Sequence, residues 1–294
     1  MSVKYFLGSF VSPEKLLITD EEKEQLEKNS KYLMDLSTLS IFYHNTFRNL
    51  DSLIEYLVKK KDTKNLNEYD RKNIFADYNL FLSNLLASFY SMIGFIESKF
   101  ASTSVLSEIY DKYFEYRLFY ELRKIITHEG LIVKNSKTQF TKESLIVSAI
   151  IKKDDIINSK KSNKKFRLEL QQSDDSEFDL LDLCKNFKIT LEALLNSLIS
   201  KERKNAIFSF TVMIDYKHKV GDNNEDCFLI KDDKPIWSLV KVTNMLLERY
   251  YFHFLHGMRS QELVVNSNSA KSLFFSLCQV YFGVYGAIPK FVKT

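Results

Sequence analysis

The chain has 294 residues, enough for one large domain or two small ones, and 45% of them are hydrophobic, which excludes large-scale disorder. Only 3 Pro and 7 Gly interrupt it, so long helices are expected and an all-β sandwich is excluded. The net charge of +4, from 42 basic and 38 acidic residues, permits contact with nucleic acid but is unlike that of a histone or a ribosomal arm. We therefore predict a mainly α fold.

Cysteine usage and the N-terminal segment bear on the cellular location. Cys184, Cys227 and Cys278 lie far apart without a C-x-x-C motif, so neither a zinc site nor a disulfide framework is expected. Lys4 lies inside the apolar part of the N-terminus, and no apolar run approaches the roughly 18 residues of a membrane span. We predict a soluble cytoplasmic protein without a membrane partner.

The first part of the chain is predicted to hold an extended or irregular arm followed by long helices. Residues 1–19 form the arm, and Thr19-Asp20 is expected to cap the first helix. Apolar residues then recur at helical spacing, with a second long segment beginning at about Ser37. It ends in the lysines at 59–61, which are typical of a solvated helix end; an RNA contact is the alternative.

The next helix is the most apolar of the chain. After a polar linker at residues 62–70, apolar residues from 74 to 96 follow helical spacing and predict the central core helix. Its polar face carries small groups that permit another helix to approach closely. Packing is the favoured role of that face, and the alternative is that Asn84 or Ser88 reaches the candidate site near His128.

The stretch at residues 110–130, YDKYFEYRLFYELRKIITHEG, is predicted to be an aromatic amphipathic helix. It carries Arg123 and Lys124 near its end and His128 in its last turn, and Gly130 suits the left-handed position that ends a helix. One explanation for Arg123 and His128 on this helix is structural: Arg123 is a surface residue, and His128 is stabilised by the negative end of the helix dipole. The alternative is a catalytic pair.

An ideal helix sorts these side chains onto different faces. Arg123 lies about 100° from Lys124, since 3.6 residues complete a turn. Within one chain, Arg123 and His128 are therefore not side by side. One face of the helix instead carries residues spaced four, three and four positions apart, namely Arg117, Glu121, Lys124 and His128.

A basic patch follows this helix. Residues 144–151 are first predicted as a strand or an extended segment. The patch then surrounds Phe166, and together with Arg117 it is predicted to bind RNA phosphates while the ring stacks on a base. The alternative is a solvated turn balanced by acidic residues at 174–177. The charged members of the patch are Lys160, Lys161, Lys164, Lys165 and Arg167.

The C-terminal part is predicted to add further helices. One amphipathic helix spans 178–199, and residues 206–216 either continue it or form a strand. Residues 216–233 are polar, with a turn marked by residues 221–224, and form the candidate domain boundary. Pro235 is expected to begin a helix, and a last aromatic helix covers 270–285.

No metal or cofactor site is predicted from the residues. His253 and His256 are three residues apart, but no third ligand lies at a suitable spacing, so an aromatic helix with two partly exposed histidines is expected. No glycine-rich phosphate loop and no Ser-His-Asp pattern occurs in the sequence.

The spacing from Arg123 to His128 resembles a known family signature. An Arg, four residues and a His, behind a Tyr/Phe/Leu-rich turn and before Gly-Leu-Ile, is similar to the Arg-x(4–6)-His motif of HEPN domains. The resemblance implies an antiparallel helical bundle over residues 1–216, a C-terminal helical extension over 217–294, and minor β or extended segments. It also implies a metal-independent endoribonuclease without a cofactor, and a homodimer that forms through the motif helix.

The resemblance assigns roles to the motif residues. His128 is expected to act as general acid and base, and Arg123 as the cation that stabilises charge on the phosphate when a 2′-OH attacks RNA. Lys124 stands where family members usually have Asn or another small polar residue, and it can supplement the site or replace that residue. Glu121 is a further candidate, as a group that orients His128.

The biological role that the resemblance implies is that of a toxin or an anti-phage defence effector that cuts tRNA or mRNA, with an antitoxin or a regulatory protein as a further partner. Two alternatives stay open. A non-catalytic HEPN-like module would bind RNA or nucleotide or scaffold a partner protein, and Lys124 slightly favours it. A helical bundle unrelated to HEPN domains would use its 24 Phe and 16 Tyr for core packing alone.

Overall fold

A computed structural model of the protein describes residues 5–8, 15–61, 68–100, 102–140, 145–220, 227–232, 234–255 and 265–285. Within these ranges the chain forms nine helices and seven short strands. The mainly α prediction and the minor β segments are therefore confirmed.

The helices account for most of the described chain, and the strands are short. In chain order the helices are α1 (Asp20–Lys61), α2 (Glu68–Lys99), α3 (Thr103–Lys112), α4 (Phe114–Glu129), α5 (Lys153–Ile157), α6 (Lys164–Gln172), α7 (Leu180–Val220), α8 (Leu239–Phe254) and α9 (Asn268–Tyr285). The strands are β1 (Tyr5–Gly8), β2 (Lys15–Ile18), β3 (Asn135–Phe140), β4 (Leu145–Lys152), β5 (Glu177–Asp179), β6 (Phe228–Lys231) and β7 (Lys234–Ser238).

The strands form two small antiparallel sheets. One has the order β2-β1-β6-β7, in which Tyr5 of the central strand β1 lies opposite Ile18 on one side and Lys231 on the other. The second has the order β3-β4-β5, with Asn135 opposite Ile150. The expected extended arm thus contains two strands, and the predicted strand near residue 145 is confirmed as β4.

The chain divides into two compact units, and the boundary falls within α1 and within α7. The terminal unit comprises Met1–Ile41 and Leu195–Thr294, and the central unit comprises Phe42–Leu194. The domain division after residue 216 that the resemblance implies stays a prediction. The motif helix and the basic patch both belong to the central unit, and the fold of that unit positions the candidate site.

Aromatic side chains fill the core of the central unit. Phe119 of α4 stacks on Phe187 of α7 with ring centroids 4.1 Å apart, and Phe89 of α2 meets Phe187 edge to face at 5.0 Å. All three rings are completely buried. Since each buried phenyl ring contributes about 1.5–3 kcal/mol, this cluster fixes α2 and α4 against α7.

The terminal unit has its own core and its own polar contacts. Tyr250 and Phe254 of α8 are completely buried and pack edge to face at 5.1 Å. Tyr32 of α1 donates a hydrogen bond of 2.8 Å to the Glu202 carboxylate of α7. This unit also holds His253, whose Nδ1 lies 3.2 Å from a serine hydroxyl of α1, whereas His256 lies outside the described residues.

Two expected helix boundaries differ from the structure, which also decides an alternative left open for residues 206–216. The predicted single helix over 110–130 is wrong, because Tyr113 adopts an extended conformation (φ −112°, ψ 117°) and separates α3 from α4. Its amide donates to the Ile109 carbonyl and so closes α3. Residues 206–216 continue α7, and α1 runs through the expected boundary at Ser37 without interruption.

Pro235 does not begin a helix. It lies in β7, an edge strand, where it pairs with Ile230 and its missing N–H costs little. Helix α8 begins after Ser238, whose hydroxyl accepts a hydrogen bond of 3.1 Å from the Lys241 amide. Of the predicted polar linker at 62–70, residues 62–67 lie outside the described residues, and α2 begins at Glu68. Of the candidate domain boundary at 216–233, residues 221–226 and 233 lie outside them.

Helix α2 is apolar enough to require an explanation. Among the described residues, Asn73–Lys99 is the one helical stretch that could cross a membrane by its length and composition. A core helix of a soluble protein meets the same criteria, and 44% of the most apolar window of this stretch is buried inside the protein. Leu82, Leu85 and Phe89 are buried in the core of the central unit, so packing accounts for the apolar face.

Candidate functional site

The exit from the motif helix α4 is fixed by one buried asparagine. The Asn79 side chain of α2 accepts hydrogen bonds of 3.0 Å from the amides of Ile132 and Val133 and donates one of 2.8 Å to the Val133 carbonyl. Gly130 has φ 88°, a positive value that glycine tolerates, and its amide donates to the last turn of α4. The expectation that Gly130 ends this helix is confirmed.

Two small polar residues of α2, Asn84 and Ser88, make contacts within α2 and with α1. Ser88 donates to the Leu85 carbonyl of its own helix at 2.8 Å. Asn84 is exposed, and its backbone carbonyl accepts a hydrogen bond of 3.4 Å from the side-chain amide of Asn49. Neither side chain has a described contact with His128.

His128 lies in the last turn of α4 and is exposed. Within the described part of the chain its ring has no hydrogen-bond or ion-pair partner. The adjacent Glu129 instead accepts a hydrogen bond of 2.7 Å from Ser159, which ties the end of α4 to the segment before the basic patch. The imidazole of His128 is therefore open to a ligand from solvent.

Arg123 is held by an aromatic ring. Its guanidinium carbon lies 4.2 Å from the ring centroid of Tyr90 on α2, a cation–π geometry. No carboxylate pairs with Arg123 among the described residues, so its charge is not neutralised locally. Tyr90 is 38% exposed, and the pair lies at the surface of the central unit.

Lys124 and Glu121 engage each other. The Lys124 ammonium lies 2.7 Å from Glu121 Oε1, and the second oxygen, Oε2, accepts a hydrogen bond of 2.8 Å from the Asn163 amide. Glu121 is completely buried, whereas Lys124 is 31% exposed. The carboxylate thus joins α4 to the start of α6, and no described contact links it to His128, two helical turns further along. Its predicted role as the group that orients His128 stays a prediction.

Arg117 has structural partners on two helices. It donates hydrogen bonds of 2.6 and 2.9 Å to the carbonyls of Tyr110 and Asp111 at the end of α3, and it pairs with Glu169 of α6 at 2.6 Å. Its side chain is 15% exposed. These contacts hold α3, α4 and α6 together and leave little of the guanidinium for RNA.

The basic patch lies on the turn before α6 and on its first residues. Four lysines are exposed and Arg167 is half-buried. Phe166 is only 1% exposed, so the expectation that its ring is available to stack on a base is wrong. It packs inward together with Leu170, one turn later, because α6 is amphipathic. The exposed lysines are Lys160, Lys161, Lys164 and Lys165.

A cavity of about 590 Å³ opens beside α4 and connects the motif helix to the basic patch. Residues from α2, α3, α4 and α6 line it. Among them are three residues that the sequence singles out and three tyrosines that it does not, namely Glu121, Lys124, Lys165, Tyr110, Tyr116 and Tyr120. The cavity is thus the place where two separately predicted groups of residues meet.

The tyrosines of this cavity form a compact cluster. The Tyr110 ring is perpendicular to that of Tyr120, with centroids 6.2 Å apart, and the Tyr116 ring is parallel to that of Tyr120 at 6.5 Å. Burial raises the pKa of all three phenols, so they stay neutral near pH 7. Their sequence pattern is that of core residues, which is why it did not mark a site.

The cysteines, the other side chains that could act as nucleophiles, lie away from this cavity and are buried. Burial raises the pKa of the Cys227 thiol to about 12 and that of the Cys278 thiol to about 11, and it also raises that of Cys184, so none is an activated thiolate. Over the described ranges, no group of three His, Cys, Asp or Glu side chains has a metal-binding arrangement.

No protein-family model, no curated protein and no solved structure matches this chain. The resemblance to HEPN domains therefore rests on the residues of α4 alone. The function of those residues is therefore inferred from the contacts and the exposure of their side chains in the structure.

Proposed function

We propose that this protein is a metal-independent endoribonuclease of the HEPN type, which cleaves RNA by attack of a 2′-OH on the adjacent phosphodiester. The observation that carries the proposal is the state of the two motif side chains on α4. His128 is exposed with an open imidazole, and Arg123 keeps an unneutralised guanidinium on the Tyr90 ring. RNA cleavage of this kind needs one group that exchanges a proton near neutral pH and one fixed cation.

The chemistry assigns one task to each residue. His128 removes the proton from the 2′-OH, whose oxygen then bonds to phosphorus, and the protonated imidazole returns a proton to the departing 5′-oxygen. The products are a 2′,3′-cyclic phosphate and a 5′-hydroxyl. Arg123 stabilises the additional negative charge on the phosphoryl oxygens. Histidine is the side chain type suited to exchanging a proton near neutral pH.

A homodimer completes the site in this proposal. Arg123 and His128 are five positions apart, which on a helix is about 140° of rotation and about 7.5 Å along the axis. One copy of α4 therefore presents the two groups in different directions, and two antiparallel copies can bring Arg123 of one to His128 of the other. We further propose a cytoplasmic toxin or anti-phage effector, with tRNA or mRNA as substrate and an antitoxin or a regulatory protein as partner.

The proposal is tested by expressing the wild type beside His128→Ala and scoring growth and total RNA integrity in the same cells. His218→Ala is the matched control, because His218 is also an exposed histidine in the last turn of a helix, α7. We expect growth arrest and RNA fragments from the wild type and from His218→Ala, but from His128→Ala neither. RNA cleavage that survives His128→Ala contradicts the assignment.

The second candidate is a non-catalytic HEPN-like module that binds RNA or nucleotide or scaffolds a partner protein. The pairing of Lys124 with the buried Glu121 favours it, because this cation is then committed to the fold instead of the substrate. Harmless expression of both wild type and His128→Ala, together with RNA binding by the purified protein, would support this second function.

A further inference from the structure

The cavity beside α4 has the size of a small-molecule site. Its volume of about 590 Å³ lies in the range of roughly 300–1,000 Å³ that such sites occupy. Tyr110 and Tyr120 line it and are only partly buried, so each ring retains surface that a ligand can touch. Because the two rings are perpendicular, a flat aromatic ligand can stack on one and meet the other with its edge.

The charges of the cavity come from different helices. The cations are Lys124 of α4 and Lys165 of α6, and of these Lys165 is exposed with no side-chain partner among the described residues. The carboxylates are Glu97 of α2 and Asp111 of α3, in addition to the paired Glu121. Glu97 and Asp111 are exposed, and neither side chain has a hydrogen-bond or ion-pair partner within the described ranges.

This lining suits a ligand that joins an aromatic ring system to an anion. The free ammonium of Lys165 can bind a phosphate as a point charge. Carboxylates accept hydrogen bonds from the amino groups of nucleobases, and the hydroxyls of Thr103 and Ser107 on the same wall can bond a sugar or a base edge. A base in a duplex has both faces stacked, so only an unpaired base can reach the tyrosines.

We propose that this cavity binds one unpaired nucleotide of a single RNA strand, with the base against Tyr110 and Tyr120 and its phosphate at Lys165. The inference rests on the proposed function in that it names the substrate class as single-stranded RNA. The cavity lies on the helix that carries Arg123 and His128, so a nucleotide held there places the strand along α4. Tyr110 and Tyr120 are then specificity-determining residues that sequence motifs do not reveal.

The test measures binding by the full-length His128→Ala protein, which prevents cleavage from obscuring affinity. A fluorescent single-stranded oligoribonucleotide is titrated, with duplex RNA of the same sequence and free mononucleotides as competitors. Tyr120→Leu removes the stacking ring, and Lys165→Gln removes the exposed cation without touching the core. Lys185→Gln is the matched control, because Lys185 is an exposed lysine of the central unit that does not line the cavity.

We expect Tyr120→Leu to weaken binding of the single strand about tenfold, the usual effect of losing one base–aromatic stack. Lys165→Gln should weaken binding several-fold and reduce the slope of log affinity against log salt concentration by about the amount of one phosphate contact. Lys185→Gln should change neither the affinity nor this slope. Unchanged binding in both cavity variants overturns the proposal, as does competition by duplex RNA equal to that of the single strand.

The two proposals fail in distinguishable ways. Tighter binding of a free mononucleotide than of the strand overturns the RNA assignment in favour of a small-molecule ligand. If the wild type does not cleave RNA but the strand binds through Tyr120 and Lys165, the ribonuclease proposal fails and the binding site stands. If the wild type cleaves RNA and Tyr120→Leu changes neither binding nor cleavage, the site fails and the ribonuclease stands.

Discussion

Glu121 and Lys124 form an ion pair of 2.7 Å in which the carboxylate is completely buried and the ammonium is partly exposed. The same carboxylate caps the start of α6 by accepting from the Asn163 amide. It therefore couples the motif helix to the helix that carries the basic patch.

Glu121→Gln should destabilise the protein by about 1–3 kcal/mol, because a neutral amide loses the charge-assisted bond to Lys124 while it can still accept from Asn163. Urea unfolding measures the loss. Lys23 and Glu27 of α1 also form an ion pair, at 3.0 Å with Glu27 41% exposed, so Glu27→Gln is a control that should cost well under 1 kcal/mol. Equal effects of the two changes would contradict the structural role of Glu121.

Asn79→Ala should cost about 2–4 kcal/mol. The side chain is buried, and its loss leaves the amides of Ile132 and Val133 without an acceptor in the core. Asn84→Ala on the exposed face of the same helix should change stability by less than about 0.5 kcal/mol. Denaturant midpoints of both variants check this, and a small effect of Asn79→Ala would mean that water replaces the amide.

Gly130→Ala and Gly94→Ala should have opposite effects. Neither position has an atom within 4 Å of an added Cβ, but Gly130 has φ 88° whereas Gly94 lies inside α2. Alanine at 130 forces an unfavourable backbone conformation and should destabilise by about 1–3 kcal/mol. Alanine at 94 should stabilise by about 0.5–1 kcal/mol through higher helix propensity. Thermal unfolding distinguishes the two, and stabilisation by both would contradict the assigned conformation of Gly130.

Glu22 should make part of the stability depend on pH. The Thr19 amide donates to its carboxylate at 2.9 Å and lowers the pKa of Glu22 below its ordinary 4.5. The folded state therefore binds this proton less readily than the unfolded state, so the contribution is present above about pH 4.5 and is lost as the pH falls through the lowered value. Glu22→Gln should flatten the fall in stability between pH 5 and pH 3, measured by urea unfolding at each pH. An unchanged pH profile would contradict this assignment.

His128→Ala should abolish RNA cleavage, and Arg123→Ala should lower it about 100- to 1,000-fold. If the site joins Arg123 of one protomer to His128 of its partner, mixing the two inactive variants should restore about a quarter of wild-type activity. Half of the dimers are then mixed, and each has one intact site. Activity that stays absent in the mixture would place both residues of a working site in the same chain.

Local sequence patterns predict much of the helical framework, because caps and apolar periodicity act over a few residues. The cap at Thr19 is confirmed, since its hydroxyl accepts from the Glu22 amide at 3.2 Å and the Glu22 carboxylate accepts in return. The end of α4 at Gly130 is confirmed for the same local reason. The boundaries that fail are those where distant contacts compete with local preference.

The sequence by itself determined that the protein is mainly helical, where most helices lie and that Arg123, Lys124 and His128 share one helix, since each of these depends on residues a few positions apart. Only the tertiary structure decided that Phe166 is core, that Glu121 holds Lys124 and Asn163, and that one cavity joins the motif helix to α6. These outcomes depend on burial and on pairing between segments far apart in the chain. The free energy gained from such burial and pairing exceeds the local conformational preferences that a sequence pattern expresses.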